Sequence, residues 1–206
     1  MLCLKVPTDG AWAATALREA DAVLVDHAHC ELKAASNALS LVARHPGDAA
    51  LAQALTDLAR EEIEHFQRVM TVLAARGVAL GPPPVDAYAA ALRRAAHVLP
   101  RRPGVTGLVD RLLVAAVIEA RSCERFQLLA AEAREHGGGE LHALWQELLA
   151  AEARHYRTFV DLAVQATDGD RTTVVARLDE LAEAEGAIVT ALARGGGEVS
   201  RAMIHG

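Results

Sequence analysis

Apolar residues recur at intervals of three and four through most of the chain, and clusters of Pro and Gly interrupt them at a few places. Positions i, i+3, i+4 and i+7 share one face of a helix, so this rhythm predicts long amphipathic helices bounded by the breaks. The first is expected from about Asp9 to His45, before Pro46-Gly47, and the second from Asp48 to Arg76, before Gly77. Residues 77–104 carry Gly81-Pro82-Pro83-Pro84 and Pro100-Arg101-Arg102-Pro103-Gly104, with a short helix predicted from Val85 to Val98. A third long helix is predicted from Val105 to His136, before Gly137-Gly138-Gly139, and a fourth from Glu140 to Ala166. Thr167-Asp168-Gly169-Asp170 introduces a fifth, about Thr172 to Arg194, with a flexible tail over 195–206. No segment alternates with period two, so no strand is predicted.

Two closely joined helices, a long connection and two more closely joined helices make an all-α fold: a ferritin-like four-helix bundle with one long crossover and an additional C-terminal helix. A helix of roughly 29 residues is about 43 Å long, and residues 77–104 suffice to return over that length. One domain over residues 1–194 is expected. The chain also repeats itself. Glu31-Leu32-Lys33-Ala34 echoes Glu119-Ala120-Arg121-Ser122, and Glu62-Ile63-Glu64-His65-Phe66 echoes Glu152-Ala153-Arg154-His155-Tyr156, at separations of 31 and 33 positions. Each half is one helical hairpin carrying a Glu and then Glu-x-x-His.

Helical faces pick out one acid per helix. Glu31 shares its face with Leu24, Ala28, Ala35, Ala38 and Val42; Glu62 with Leu55, Leu58, Phe66, Val69 and Leu73. Glu119 lies among Leu112, Ala115, Ala116, Cys123 and Phe126, and Glu152 among Trp145, Leu148, Leu149, Tyr156 and Phe159. Glu64, by contrast, sits with Asp57, Arg60, Glu61, Gln67 and Arg68 on a solvated face, and the face of Glu124 is mixed. Burying an uncompensated carboxylate costs several kcal/mol, so four in one core call for cations. Two divalent ions match four carboxylates, and His65 and His155 follow their acids by three residues on the same face. Carboxylate and imidazole without thiolate suits iron or manganese. The predicted metal ligands are therefore Glu31, Glu62, His65, Glu119, Glu152 and His155, holding two iron ions. His27, one turn before Glu31, is either a partner of that acid or a side chain that packs or faces solvent.

Composition adds limits. Hydrophobic residues make up 52% of the 206 positions but aromatic residues only 3%, and the excess of Ala and Leu favours helix. No apolar run approaches the roughly 20 residues of a membrane span, and Met1–Pro7 lacks the pattern of an export signal. Cys3, Cys30 and Cys123 form no paired framework, so a reducing cytoplasm is expected, with Cys30 and Cys123 as small buried fillers. A net charge of −6 speaks against bulk capture of nucleic acid, DNA included.

Three stretches are more specific than Glu-x-x-His: Asp26-His27-Ala28-His29-Cys30-Glu31-Leu32-Lys33-Ala34-Ala35, Arg60-Glu61-Glu62-Ile63-Glu64-His65-Phe66 and Ile118-Glu119-Ala120-Arg121-Ser122-Cys123-Glu124-Arg125-Phe126. With the opening Pro7-Thr8-Asp9-Gly10-Ala11-Trp12 and Glu152-Ala153-Arg154-His155-Tyr156, they resemble the MiaE family, the tRNA 2-methylthio-N6-isopentenyladenosine hydroxylases, over roughly residues 1–190. The resemblance implies a di-iron monooxygenase that uses O2 and an external electron donor. It would hydroxylate the isopentenyl group on adenosine 37 of tRNA, with Glu62 and Glu152 bridging the metals and Glu31 and Glu119 terminal. Ala34, Ala35, Ala38, Ala115 and Ala116 either leave room for a prenyl tail or simply allow close helix packing.

A tRNA partner needs cationic contacts. The crossover has no acid from Ala87 to Val109 but carries Arg93, Arg94, His97, Arg101 and Arg102, and Tyr88 is a candidate to stack on a base. The alternative use of the same fold is ferritin-like iron oxidation or storage, which predicts a large shell. A rubrerythrin-like peroxidase is disfavoured by the missing Cys-x-x-Cys module.

Overall fold

A computed structural model describes residues 2–83, 85–136 and 138–195; the tail from 196 on lies outside them. Seven helices occur there and no strand: α1 Trp12–Arg18, α2 Ala20–Arg44, α3 Ala49–Ala75, α4 Ala87–Val98, α5 Gly107–Glu135, α6 Gly139–Gln165 and α7 Arg171–Gly195. The chain divides into two compact units, one from Glu19 to Val85 and the other combining the residues up to Arg18 with those from Asp86 on.

Local chemistry sets most boundaries. Asp48 accepts the Leu51 N–H at 2.9 Å, Asp86 the Ala89 N–H at 3.0 Å and Thr106 the Val109 N–H at 3.3 Å, so α3, α4 and α5 begin on side-chain caps. Such a cap contributes about 1 kcal/mol by satisfying an amide that has no helical partner. Asp170 serves α7 in the same way through the Thr173 N–H at 3.0 Å. At the end of α3, Gly77 takes φ 70°, its N–H bonds Ala74 O, and the Val78 N–H bonds Leu73 O at 2.9 Å. That pair of bonds needs a left-handed residue, which glycine adopts without a Cβ penalty.

In the first unit to be considered, α2 and α3 form a hairpin closed at its open end by Arg76 on Asp21 at 2.6 Å. Its interior is lined by Leu24, Leu41, Leu55 and Leu73, all fully buried. The second unit is built on the α5–α6 hairpin, where the Phe126 and Trp145 rings stack at 5.4 Å. Helices α1, α4 and α7 pack around it.

One predicted helix is corrected. The expected continuous helix from Asp9 to His45 is broken at Glu19, whose φ of −98° and ψ of 30° leave the helical region. The two pieces answer to different partners. Trp12 on α1 lies under the Arg125 guanidinium of α5 at 5.0 Å, whereas α2 pairs with α3. Periodicity alone carries no mark of that change of partner.

The C-terminal helix α7 has a definite task. Arg177 is fully buried and donates to Asp110 Oδ1 at 2.8 Å, to Ala96 O at 2.9 Å and to Pro100 O at 3.2 Å. Ala96 O belongs to the last turn of α4, where carbonyls lack helical partners, so α7 caps α4 with a cation. Nearby, Arg121 of α5 meets Glu185 of α7 through two bonds, at 2.7 and 2.9 Å. Burial works against the Arg121 charge, but the bonds to Glu185 hold its pKa above the ordinary value.

Candidate metal centre

The selected acids all lie inside. Glu31, Glu62, Glu119 and Glu152 are at most 6% exposed, and His65 and His155 at most 9%. The acids read as solvated behave otherwise: Glu64 is exposed and sits 3.6 Å from Arg60. The faces drawn from sequence hold, with Leu24, Ala28, Leu55, Val69, Leu112, Ala116, Leu148 and Phe159 buried around the acids.

Each unit assembles three donors. In the α2–α3 hairpin, single ligand atoms of Glu31, Glu62 and His65 lie within 4.8 Å of one another. His65 Nδ1 is 3.5 Å from Glu62 Oε2 and 3.8 Å from Glu31 Oε1. In the α5–α6 hairpin, Glu119, Glu152 and His155 offer atoms within the same limit, with His155 Nδ1 3.8 Å from Glu152 Oε2. The i, i+3 spacing of each Glu-x-x-His places its two donors over one turn of helix, and the neighbouring helix supplies the third. Two carboxylates and one imidazole per hairpin form a hard, oxygen-rich donor set. Neither buried thiol joins it: the Cys123 Sγ points toward Leu149 O at 4.0 Å, and burial pushes its pKa up to about 12.

His27 is 2% exposed, and its Nε2 is 2.7 Å from Glu31 Oε1, so of the two sequence readings the partner of the acid is the one realised. Tyr156 is half-buried and hydrogen-bonds Cys3; burial pushes the Cys3 thiol up to about 11.

The RNA-directed residues divide. Arg93, Arg94 and His97 are exposed on α4. Arg101 and Arg102 are exposed but engaged, with Asp110 at 3.3 Å and Glu180 at 2.7 Å. Tyr88 is corrected: it is fully buried, and its hydroxyl donates to Glu185 Oε1 at 3.0 Å. A ring enclosed on all sides has no face to offer a base.

Sequence reasoning missed two buried ion pairs, Asp110 with Arg177 and Arg121 with Glu185. A signal existed. Glu185 shares a helical face with Leu178, Leu181, Ala182 and Val189, all buried, which is the pattern used to select the ligands. What separates it from them is a cation, Arg121, supplied by another helix.

Comparison with known proteins gives a consistent result. The family model described as tRNA-(MS2IO6A)-hydroxylase (MiaE) matches residues 1–195. A Pseudomonas putida protein named tRNA 2-(methylsulfanyl)-N(6)-isopentenyladenosine(37) hydroxylase is 43% identical over 160 residues, covering 78% of this chain and 74% of its own. A Salmonella typhimurium protein of the same name is 30% identical over 235 residues, covering 90% and 83%. Among solved structures, a Synechococcus protein titled as having aldehyde deformylating oxygenase activity aligns with a TM-score of 0.86 and 38% identity, covering 100% of this chain and 96% of its own. The fold class is all-α, the ferritin-like four-helix bundle with a long crossover and an additional C-terminal helix.

Proposed function

This chain belongs to the MiaE family of tRNA hydroxylases, and from that premise we propose that it hydroxylates the isopentenyl group of 2-methylthio-N6-isopentenyladenosine at position 37 of tRNA. The reaction takes O2, two electrons from an external donor and two protons; one oxygen atom enters a C–H bond and the other leaves as water. Glu31, Glu62, His65, Glu119, Glu152 and His155 are the residues that would hold two iron ions, which would supply that redox chemistry when bound.

The observation that carries the reading is the matched pair of buried donor groups, two carboxylates and one imidazole in each hairpin. Four buried carboxylates balance two divalent cations in charge, and without them each would bear a desolvation cost of several kcal/mol. The surrounding protein does the rest. Leu24, Leu55, Leu112 and Leu148 exclude water from the carboxylates, which strengthens their hold on a cation. Ala35 and Ala38 on α2, and Ala115 and Ala116 on α5, are buried and short. Arg93 and Arg94, with Arg101 and Arg102 beside them in sequence, are the phosphate contacts of this reading. No helix among the described residues is long and apolar enough to cross a membrane. The cytoplasm, where tRNA is modified, is the proposed compartment.

The test is nucleoside mass spectrometry of prenylated tRNA after incubation with iron-loaded, chemically reduced protein and O2. The expected product is the modified adenosine heavier by one oxygen atom, absent with Glu62→Ala. A parallel incubation with a long-chain aldehyde addresses the activity named for the Synechococcus structure. Conversion of the aldehyde with untouched tRNA would overturn the proposed substrate. Iron oxidation with neither product would point to the ferroxidase reading.

A further inference from the structure

The cations of the crossover are not alike. Arg93, Arg94 and His97 are exposed on α4. Arg101 and Arg102, between α4 and α5, are exposed too, but each rests on a carboxylate: Arg101 Nε is 3.3 Å from Asp110 Oδ2, and Arg102 Nε is 2.7 Å from Glu180 Oε1. Both acids already have a cation on their inner side. The fully buried Arg177 donates to the other oxygen of each, to Asp110 Oδ1 at 2.8 Å and to Glu180 Oε2 at 3.0 Å. The same guanidinium donates to Ala96 O and Pro100 O, so it also fixes the backbone that leads into Arg101. Each carboxylate thus has one inner cation enclosed by protein and one outer cation facing solvent.

From this arrangement we infer that Asp110 and Glu180 stand in for phosphate in the free protein, holding Arg101 and Arg102 until the tRNA backbone takes over both guanidiniums. The inference rests on the tRNA reading above. A guanidinium meets carboxylate and phosphate with the same fork of N–H donors, so the exchange preserves its hydrogen bonding. Departure of the outer arginine strands neither acid, because Arg177 stays bonded to the second oxygen; a buried carboxylate left without any cation would be costly. The backbone of the segment keeps its place on Arg177 while the two long side chains turn outward. No acid occurs from Arg93 to Thr106, so the released arginines join Arg93 and Arg94 in one stretch of positive charge. An exposed ion pair is weak, and giving one up costs about 2- to 5-fold in affinity. The acids therefore set the strength of tRNA binding without deciding whether it occurs.

The experiment is equilibrium binding of fluorescently labelled, prenylated tRNA to the full-length protein, followed by anisotropy over a range of salt concentrations and without reductant, so that no turnover intervenes. Glu180→Gln keeps the size of the side chain and removes the competing charge; it should tighten binding by about 2- to 5-fold. In an Arg102→Ala background the same substitution should bring no gain, since the arginine it would release is absent. Glu183→Gln, an equal change of charge at an exposed acid one turn further along α7, is the control for general electrostatics and should tighten binding less. Arg101→Ala/Arg102→Ala should lower the slope of log K against log salt by about 2. No gain from Glu180→Gln, a gain matched by Glu183→Gln, a gain that survives Arg102→Ala, or an unchanged salt slope in the double variant would each overturn the inference while leaving tRNA binding standing. Absence of tRNA binding by the unaltered protein would remove the proposed substrate and this inference together.

Discussion

Replacing Glu185 by Ala tests how strongly α7 is bound to the rest of its unit. Glu185 and Arg121 are both fully buried, and the carboxylate receives two guanidinium bonds at 2.7 and 2.9 Å and the Tyr88 hydroxyl at 3.0 Å. Truncation leaves Arg121 charged in the interior and removes the acceptor of Tyr88. Breaking a buried pair by deleting one partner costs about 3–5 kcal/mol, because the survivor retains its desolvation penalty. Arg121 would keep Glu124, the Thr8 hydroxyl and Val6 O, which places the effect toward the low end of that range. At roughly 2–4 °C per kcal/mol for a chain of this length, Tm should fall by about 6–15 °C. The assay is thermal unfolding followed by far-ultraviolet circular dichroism, with Asp161→Ala as the control. Its partner Arg171 lies 3.5 Å away on an exposed surface, where a pair contributes about 0–1 kcal/mol. A Glu185→Ala protein that melts within about 2 °C of the parent would refute the reasoning, since the Arg121 charge would then have found water or another anion at little cost.

Three further outcomes are expected. Gly186→Ala should destabilise the protein by about 1–3 kcal/mol in chemical denaturation, because an added Cβ would lie 2.7 Å from the branched Val6 side chain. Stability should be insensitive to the Cys3 and Cys123 thiols below pH 9 and should decline above it. Burial raises Cys3 from 9.0 to about 11 and Cys123 from 9.0 to about 12, so over that window the folded chain holds protons that the unfolded chain has lost. A Cys3→Ala/Cys123→Ala protein should show a shallower alkaline decline in Tm, and an identical slope would contradict the assignment. Finally, Arg93→Ala/Arg94→Ala should weaken tRNA binding and reduce the slope of log K against log salt by about 2 if each arginine contacts one phosphate. Tyr88→Phe should leave both untouched, because its ring is enclosed.

The helices, the order of short and long connections and the burial of the six candidate donors were legible in one dimension because each rests on local rules. A helical face is defined by spacing, so Glu31, Glu62, Glu119 and Glu152 stood out as acids on apolar stripes, and Glu64 did not. Caps such as Asp48, Asp86 and Thr106 act within three residues of themselves, and the Gly77 turn within five. The break at Glu19, the enclosure of Tyr88 and the partners of Arg121 and Arg177 depend on which segments meet in space. Trp12 meets the guanidinium of Arg125, more than a hundred residues on. Glu185 shares the apolar-stripe pattern of a ligand, yet a guanidinium from α5 makes it an ion pair. Spacing along one helix states that a charge is buried; only the neighbouring helix decides whether its counter-charge is a side chain or a metal.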